Sequence, residues 1–460
     1  MNLPLSGKAI LHYWVKIKQA SGKHMSHLLE GSLFNVSVSI LAAGIGFINS
    51  FILAKFYGPE ILGKIAVIAN MAALGSTLAL FGSDTLTLRM LPEQLKLNGV
   101  GGALAVYKRL SIIGIIGVVA FLFLWWCIDA WFANSASALK DTSQYTLLIA
   151  LLILVAMLRK MNNKTLRGLG DYKYFSLVDI SPAVLILFVL LVCLGISVKE
   201  ETLVQLYFIP NFIVCLMSFY LVVKIFLRLE QTRVDIPEIS VEKRTLPPGL
   251  FDLYRLSTPM FGVTLSSALI LYMDILMVNY FMGAESAGIY SVYVKLVSIS
   301  AIAIGSINSM FAPKVATLFA GNELADLRVF SKRTTLLAFG VSVIGACGML
   351  LIHRHVLNHF GEPFTQELPA LYILLGSSVI SAYFGSIGLF LSMTGDQVTF
   401  FWIMLMAAVV NILGNFYLIP EYGVVGAAIS TLMSLVFWKL LATVRVNRNH
   451  GYTLCWTGVK

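Results

Sequence analysis

The sequence is dominated by runs of apolar residues that are each long enough to cross a lipid bilayer as an α-helix. A helix needs about 20 residues for this, at 1.5 Å per residue. Glycine, proline and charged clusters separate the runs, which cover residues 31–55, 61–82, 109–132, 143–161, 174–197, 202–227, 255–281, 286–312, 334–353, 368–393, 398–419 and 423–444. Because 58% of the 460 residues are hydrophobic and only 12% are charged, an ordinary soluble enzyme is excluded. The pattern predicts an all-α polytopic membrane protein with twelve transmembrane helices.

One long polar linker divides the runs into two sets of six. It covers residues 229–250, contains both charge signs and closes with Pro247 and Pro248. We therefore predict five regions in the chain. They are a cytoplasmic basic amphipathic segment (1–30), an N-terminal six-helix lobe (31–228), the cytoplasmic linker (229–250), a C-terminal six-helix lobe (251–446) and a cytoplasmic tail (447–460).

The distribution of positive residues predicts the orientation in the membrane. Positive residues in short loops resist translocation, so the side that carries most of them is cytoplasmic. The termini, the linker and the loops after every second run hold 27 of the 33 lysines and arginines. Both termini are therefore expected in the cytoplasm. This topology also explains the net charge of +10 without a nucleic-acid partner.

Two short motifs occur twice, with the same separation of 225 residues. The pattern F-x-G-x-E-x-x-G occupies residues 56–63, between the first two runs, and residues 281–288, between the seventh and eighth. A leucine, a glycine, an aspartate and a phenylalanine share their spacing in residues 166–175 and 391–400. Glycine and acidic residues are common in membrane turns, so one match would carry little weight. Two matches at one offset predict an internal repeat.

Each copy of this repeat contains six helices. Because six is an even number, both copies enter the membrane in the same orientation, related by an axis along the membrane normal. Transporters with parallel repeats place a substrate cavity between two helix bundles that rock against each other. The expected architecture is two six-helix lobes around a central cavity.

Asp274 and Lys295 are ionisable residues inside the predicted spans. Counted from the turn at 281–285, they lie about 10 and 15 Å deep on adjacent antiparallel helices. The repeat places Asn49 and Asn70 at the equivalent positions of the first lobe. An ionised side chain at mid-membrane costs about 2.5–3.5 kcal/mol on insertion scales. Either the two charges form an ion pair that clips two helices together, or the four residues face a water-filled cavity in which Lys295 meets an anionic group.

Three further charged residues are candidates for coupling or gating. Asp179 precedes Pro182, which frees a backbone carbonyl, and the pair could bind a coupling cation or proton. The alternative is that Asp179 reaches back to the interface toward Lys173. Asp84 and Arg89 follow the second run and are either entrance or gate residues or solvated flanks.

The residues that usually carry metal or covalent chemistry form no recognisable site. The five cysteines are widely spaced without a C-x-x-C motif. His355 and His359 have the spacing of two metal ligands on a helix, beside His353, but no carboxylate or cysteine accompanies them at motif spacing. We expect no metal, no cofactor and no catalytic residue.

Four segments resemble one known family of transporters. They are LAKFYGPEILGKIAVIA (53–69), MDILMVNYFMGAESAGIYSVYVKL (273–296), LSMTGDQ (391–397) and IPEYGVVGAAIST (419–431). In these segments the chain is similar to Wzx-type O-antigen and polysaccharide flippases of the multidrug/oligosaccharidyl-lipid/polysaccharide (MOP) exporter superfamily. The resemblance extends from about residue 31 to about residue 446.

The resemblance implies a V-shaped molecule with the MATE-like fold in the bacterial inner membrane. Its cargo would be an undecaprenyl-diphosphate-linked oligosaccharide for O-antigen, lipopolysaccharide or another surface polysaccharide, moved from the inner to the outer leaflet. Other polysaccharide assembly proteins are candidate partners. Lys295 matches the position of a cavity cation that attracts the diphosphate, and Asp274 matches the carboxylate of the same motif. The family's cavity is rich in cations, whereas only one mid-membrane lysine is expected here.

Two other functions and one energy source remain open at this point. A multidrug-and-toxin extruder of the same superfamily would favour acidic cavity residues, which bind cationic drugs. A membrane glycosyltransferase or polymerase would need a sizeable outer loop, and the longest here, at about 130–142 and 353–367, are short. Transport driven by a proton or sodium gradient would use Asp274 or Asp179 as the ion carrier.

Overall fold

The computed structural model describes residues 23–132, 145–196, 198–231 and 248–451. Apart from one 3-10 turn, η1 (Glu362–Thr365), every regular element of these residues is an α-helix. In chain order the helices are α1 (Lys23–Leu80), α2 (Ser83–Phe132), α3 (Thr146–Gly168), α4 (Tyr172–Gly195), α5 (Glu200–Gln231), α6 (Leu250–Ala320), α7 (Leu324–Phe360), α8 (Leu368–Tyr383), α9 (Ile387–Met393) and α10 (Gln397–His450).

Three of these helices are each divided by one glycine into two arms that are both long enough to cross a membrane. α2 is broken as well, at Gly99, but its first part, residues 83–98, is shorter than the length that a span needs. The backbone leaves the helical conformation at Gly58 in α1, at Gly283 in α6 and at Gly423 in α10. We call the arms before and after the break a and b. Eight helices are long and apolar enough to cross a membrane, and α8 with α9 forms a bent pair that makes a ninth. With the three divided helices counted by their arms, the described residues contain the twelve membrane-crossing segments that the sequence predicts.

The backbone confirms the internal repeat. Gly58 and Gly283 have nearly identical torsions, with φ 84° and ψ 169° in the first and φ 85° and ψ 176° in the second. Positive φ is open to glycine because it lacks a Cβ atom. The second motif pair behaves in the same way, since the amide of Asp171 donates to Leu166 O at 3.1 Å and that of Asp396 donates to Leu391 O at 3.0 Å. Equivalent residues thus form equivalent turns.

Several helices extend beyond the predicted boundaries. α1 begins at Lys23, inside the segment that we expected to precede the first lobe. Residues 83–98, expected as a loop, form the first part of α2 up to a break at Gly99. Most of the linker and of the C-terminal tail lies outside the described residues, which resume at 248 and end at 451.

The two halves of the chain meet at both ends of the helix bundle. At the end that carries Gly58 and Gly283, which we call the outer end after the predicted orientation, α1b and α6b touch through Gly63 and Gly288. At the opposite end, the ring of Phe81 stacks on Tyr254 at 4.7 Å and on Phe261 at 4.2 Å between ring centroids. The space between these two contacts contains the candidate site.

Candidate functional site

A cavity of about 220 Å³ lies between the two halves. Its walls come from α1b, α5, α6a and α6b, so both repeats contribute to it. Most of the lining is aliphatic, and the polar side chains at its surface are Asn70, Tyr207, Tyr272, Ser291 and Lys295. A largely apolar pocket with a few convergent polar groups is the usual form of a ligand site.

Lys295 is the charged side chain that lines this cavity. Its ammonium donates a hydrogen bond to Ser50 Oγ of α1a, across the boundary between the halves. The Ser50 hydroxyl in turn donates to Gly46 O at 3.0 Å, which turns its lone pairs toward the lysine. Among the residues that the structure describes, no carboxylate lies within 4.0 Å of the Lys295 ammonium. The cavity therefore contains a positive charge without a negative partner in this part of the protein.

Asp274 lies apart from the cavity, inside the second half. The residue is 5% exposed, and its carboxylate accepts hydrogen bonds from Asn411 at 3.0 Å, Asn415 at 2.7 Å and the Tyr290 hydroxyl at 3.1 Å. The Thr431 hydroxyl donates a fourth. The alternative of an ion pair with the lysine of α6b is therefore wrong, because neutral donors from α6b, α10a and α10b satisfy the carboxylate instead.

The two asparagines at the equivalent positions of the first half are also separated. Asn70 lines the cavity and donates to Ala66 O of its own helix at 2.7 Å. Asn49 is 2% exposed and donates to Ala183 O of α4 at 2.9 Å, while its own side-chain oxygen has no partner in the part of the chain that the structure describes. Of the four residues expected in one cluster, the structure thus brings Lys295 and Asn70 together.

The remaining candidates occupy different surroundings. Asp179 is exposed on α4, and the positive charges that act on it belong to Arg159 and Lys164 of α3 rather than to Lys173. Asp84 is 9% exposed at the start of α2, where Thr85 Oγ1 lies 3.5 Å from its carboxylate. Its predicted companion at the entrance, Arg89, is exposed.

Two lysines that the orientation rule assigns to cytoplasmic flanks belong to the helix bundle. Lys160 donates to Ala73 O at 3.1 Å and to Ser76 Oγ and Thr77 Oγ1 at 2.9 Å each, and so ties α3 to α1b. Lys439 is 5% exposed and donates at 2.8 Å to Gly385 O, in the bend between α8 and α9. Lys160 falls inside the predicted membrane-spanning run 143–161 and Lys439 inside 423–444. These positions were the feature of the sequence that could have placed both lysines in the bundle.

The three histidines near the outer end do not converge. The ring of His353 contacts Leu350 O at 2.8 Å and the Tyr372 hydroxyl at 3.0 Å, while His355 and His359 pack against each other. In the described ranges, no group of three or more metal-ligating side chains is found.

Sequence comparison shows a family match over more than half of the chain. The pattern that defines the family described as "Polysaccharide biosynthesis protein" matches residues 28–318. An uncharacterized membrane protein of Methanocaldococcus jannaschii is 21% identical over 427 residues, which cover 92% of this chain and 98% of the relative. A probable flippase of Haloferax volcanii, AglR, is 24% identical over 215 residues, which cover 42% of this chain and 45% of the relative.

Solved structures of multidrug transporters share the fold. A multidrug resistance MATE family transporter of the MOP superfamily, in its inward-facing conformation, superposes with a TM-score of 0.68 at 13% identity, covering 91% of this chain and 98% of that one. The MATE multidrug transporter DinF-BH gives a TM-score of 0.61 at 16% identity, covering 92% of this chain and 95% of that one. At these identities the likeness concerns the fold alone.

Proposed function

Since the chain belongs to the polysaccharide biosynthesis protein family and has the fold of MOP-superfamily transporters, we propose that it is a lipid-linked oligosaccharide flippase. Its cargo is an oligosaccharide joined through a diphosphate to undecaprenol, and it moves this cargo between leaflets by alternating access. A diphosphate with a polar glycan cannot cross about 30 Å of hydrocarbon unaided. A cavity between two rocking bundles removes that barrier without covalent chemistry.

The observation that carries this proposal is the position of Lys295. Its ammonium lines the cavity between the halves and has Ser50 Oγ, a neutral oxygen, as its partner. A buried charge is stabilised when it is paired, so this site favours a ligand that brings a negative group. Diphosphate oxygens meet that requirement, and Asn70 and Tyr272 offer hydrogen bonds to the sugar or to the phosphate. Ser291 donates its proton to Gly288 O at 2.7 Å, and its oxygen can accept from a sugar hydroxyl.

The cellular setting of the proposal combines the charge distribution, which supports cytoplasmic termini, with the resemblance to O-antigen flippases, which implies the bacterial inner membrane. Both termini lie in the cytoplasm and the protein spans the bacterial inner membrane, where surface polysaccharides such as O-antigen are assembled. The cargo enters from the inner leaflet and leaves in the outer leaflet, where other polysaccharide assembly proteins act on it. Large exposed apolar side chains, among them Leu351, Leu216 and Ile344, supply the lipid-facing surface that such a protein needs.

We assign the ion coupling to Asp274 in preference to Asp179. Asp274 is buried with a set of oxygen and amide groups around it, and the side-chain oxygen of Asn415 beside it has no hydrogen-bond partner among the described residues. A proton or a sodium ion can occupy such a position, since sodium prefers oxygen ligands and half-helix ends often provide them. Asp179 is exposed near two cations, which weakens its attraction for a further positive ion.

A multidrug extruder is the second candidate, because the solved structures of similar fold carry that description. The cavity disfavours it. Among the described residues, its lining includes a lysine and no aspartate or glutamate, whereas a cationic drug would need a negative group there. The fold, which is shared with solved transporters, and the similarity to a probable flippase support a transporter over a glycosyltransferase or polymerase.

The proposal is tested with the purified protein in proteoliposomes that contain undecaprenyl-diphosphate-linked oligosaccharide in the inner leaflet only. Arrival of the glycan in the opposite leaflet is followed with a membrane-impermeant oxidant that reacts with sugars. We expect the transfer to be fast with the native chain and close to that of empty liposomes with Lys295→Ala.

The matched control is Lys314→Ala, which removes an exposed lysine from the same helix. It should transfer the glycan at the native rate. Transfer that is equally fast with Lys295→Ala would reject the role of the cavity lysine. If the native chain moves cationic dyes but no lipid-linked glycan, the extruder is correct instead.

A further inference from the structure

Phe81 joins the two halves of the chain at the inner end of the bundle, opposite Gly58 and Gly283. Its ring stacks on Tyr254 and on Phe261, with interplanar angles of 3° and 24°. Tyr254 and Phe261 are seven residues apart, about two helical turns, so they lie on one face of α6a. The Phe81 ring is therefore held between two aromatic rings of the other half. We call these three residues the inner clasp.

The backbone around Phe81 fits the same contact. Phe81 lies in the turn between α1b and α2 and has φ 48°, in the left-handed region that bulky residues rarely adopt. Gly82 follows with φ 75°, and a Cβ atom on it would lie 2.6 Å from Ser257 O and 2.7 Å from the amide nitrogen of Phe261. The turn thus touches the backbone of α6a directly. Such a conformation persists only where the surroundings hold it, and it is typical of clamps and switch regions.

The inner clasp is separated from the cavity along two of the helices that line it. On α1b the lining extends from Leu62 to Asn70, and Phe81 follows Asn70 by 11 residues toward the inner end. On α6a, which runs in the opposite direction, Phe261 precedes the lining residue Leu271 by 10 residues. At 1.5 Å per residue, both counts place the clasp about 15 Å from the cavity on its inner side.

The cavity is too small to enclose the proposed cargo while the clasp is closed. Its volume is about 220 Å³, whereas pockets for drug-sized ligands have about 300–1,000 Å³. A diphosphate with several sugars is larger than such a ligand. The two halves therefore have to separate before the cargo reaches Lys295 from the inner leaflet. Separation at the inner end pulls the Phe81 ring out from between the two rings of the other half.

We propose that the inner clasp is the gate contact of the inner end, which opens to admit cargo from the inner leaflet and closes before the cargo leaves on the outer side. With the Phe81 ring between Tyr254 and Phe261, the inner ends of α1b and α6a are joined. With the ring withdrawn, the halves are free to part and the cavity widens toward the inner side. This inference rests on the alternating access of the proposed function, but it does not depend on the chemistry of the cargo.

The chemistry of the contact suits repeated opening. Aromatic faces attract each other in a defined geometry, so the clasp closes in one arrangement. The rings meet through their faces, and no hydrogen bond of these contacts is lost when they separate, so opening avoids the penalty of an unpaired polar group. The hydrogen bond from Arg109 Nη1 to Pro248 O, at 2.6 Å, also crosses between the halves at this end. Water can replace either partner, because both residues are partly exposed.

The first test measures access to the cavity from the inner side. Ala69 lines the cavity and is exposed, so Ala69→Cys supplies a reporter thiol in a chain whose five native cysteines are replaced by serine. A membrane-impermeant maleimide is added to inside-out vesicles, and the rate of labelling is recorded. We expect Phe81→Ala to raise this rate by a factor of about 5 to 150, the effect of losing two aromatic pairs. Phe81→Tyr, which keeps the ring, should be labelled like the parent.

The second test fixes the clasp in its closed form. Phe81→Cys and Tyr254→Cys are combined in the cysteine-free chain and joined by a bifunctional maleimide with a disulfide in its spacer. We expect the link to stop glycan transfer in proteoliposomes and a reductant to restore it. The matched control links Phe281→Cys to Phe416→Cys, whose native rings lie 5.9 Å apart within the second half. A link inside one half should leave the transfer rate unchanged.

The outcomes separate the clasp from the proposed function. Equal labelling of Phe81→Ala and the parent overturns the clasp as a gate, and so does undiminished transfer by the linked pair. Phe123→Ala removes an exposed ring of α2 and should not change the labelling rate; a rise equal to that in Phe81→Ala would also reject the clasp. If the native chain transfers no lipid-linked glycan, the proposed function falls, whereas the labelling rates still decide whether Phe81 closes the inner end.

Discussion

Gly63 and Gly288, which the 225-residue repeat places at equivalent positions, meet each other backbone to backbone at the outer end of the two halves. A Cβ atom on Gly63 would lie 1.7 Å from Ala284 O, and one on Gly288 would lie 2.1 Å from Pro59 O. At each glycine, the backbone of the opposite helix therefore occupies the space that a Cβ atom would need. The two contacts are reciprocal, as expected across a two-fold axis. The F-x-G-x-E-x-x-G motif thus forms both the turn and the joint between the repeats.

Substitution of either glycine should weaken this joint. Gly63→Ala and Gly288→Ala force the two helices apart, and overpacking of this kind costs about 1–3 kcal/mol. We expect lower thermal unfolding temperatures in detergent and slower glycan transfer for both variants. Gly348→Ala is the control, because no atom lies within 4 Å of the Cβ atom that it adds. An effect of Gly348→Ala equal to that of Gly63→Ala would argue against the joint.

Lys295→Ala should lower the affinity for undecaprenyl diphosphate about tenfold or more, since a hydrogen bond to a charged group contributes about 1.5–3 kcal/mol. Lys295→Arg keeps the charge and should retain most of the binding. The measurement is a titration of the purified variants with undecaprenyl diphosphate, compared with Lys314→Ala. Equal affinity of Lys295→Ala and the native chain would remove the lysine from the binding site.

Asp274→Asn should abolish the response of transfer to an imposed proton or sodium gradient, because the neutral amide cannot exchange a proton or balance a sodium ion. Asp179→Asn should leave that response intact. Both variants are compared in proteoliposomes with a proton gradient, a sodium gradient and no gradient. The opposite result, with Asp179→Asn alone insensitive, would move the coupling site to α4. If the native chain responds to neither gradient, coupling to these ions is excluded.

Lys160→Met should destabilise the protein without acting on the cavity. All three protons of its ammonium are used by oxygens of α1b, so the side chain clamps two helices and has no donor left for a ligand. We expect a loss of about 1–3 kcal/mol in stability, seen as a lower unfolding temperature, with unchanged affinity for undecaprenyl diphosphate. Lys164→Met, on the same helix, should have little effect on unfolding. A loss of ligand affinity in Lys160→Met would instead place this lysine in the substrate path.

The architecture could be predicted from the sequence because the bilayer restricts the backbone conformations that a membrane-spanning segment can adopt. Every backbone polar group in hydrocarbon must be paired, so an apolar run of about 20 residues becomes a helix. The repeat was readable for a related reason, since Gly58 and Gly283 mark a backbone conformation with positive φ that other residues rarely adopt. Both constraints act on short stretches of the chain, so each leaves a pattern that can be recognised in the sequence.

Which residues form the candidate site could be predicted only in part from the sequence. Lys295 and Asn70 line the cavity, but Asp274, at a depth similar to that of Lys295 on the neighbouring helix, turns toward Asn411, Asn415 and Thr431. Depth in the membrane follows from counting residues, whereas the direction of a side chain depends on how each helix is rotated against its neighbours. The same limit applies to Lys160 and Lys439, which charge counting assigned to the cytoplasmic surface.

The sequence by itself determined the helices, their number, their division into two repeats and the heights of Asp274 and Lys295 along their helices. Only the tertiary structure decided that Lys295 meets Ser50 across the halves, that Asp274 is enclosed by its own half and that Gly63 and Gly288 touch across the repeats. The reason is physical. The bilayer acts on each segment separately, but the partner of a polar side chain depends on the packing of helices that are far apart in the chain.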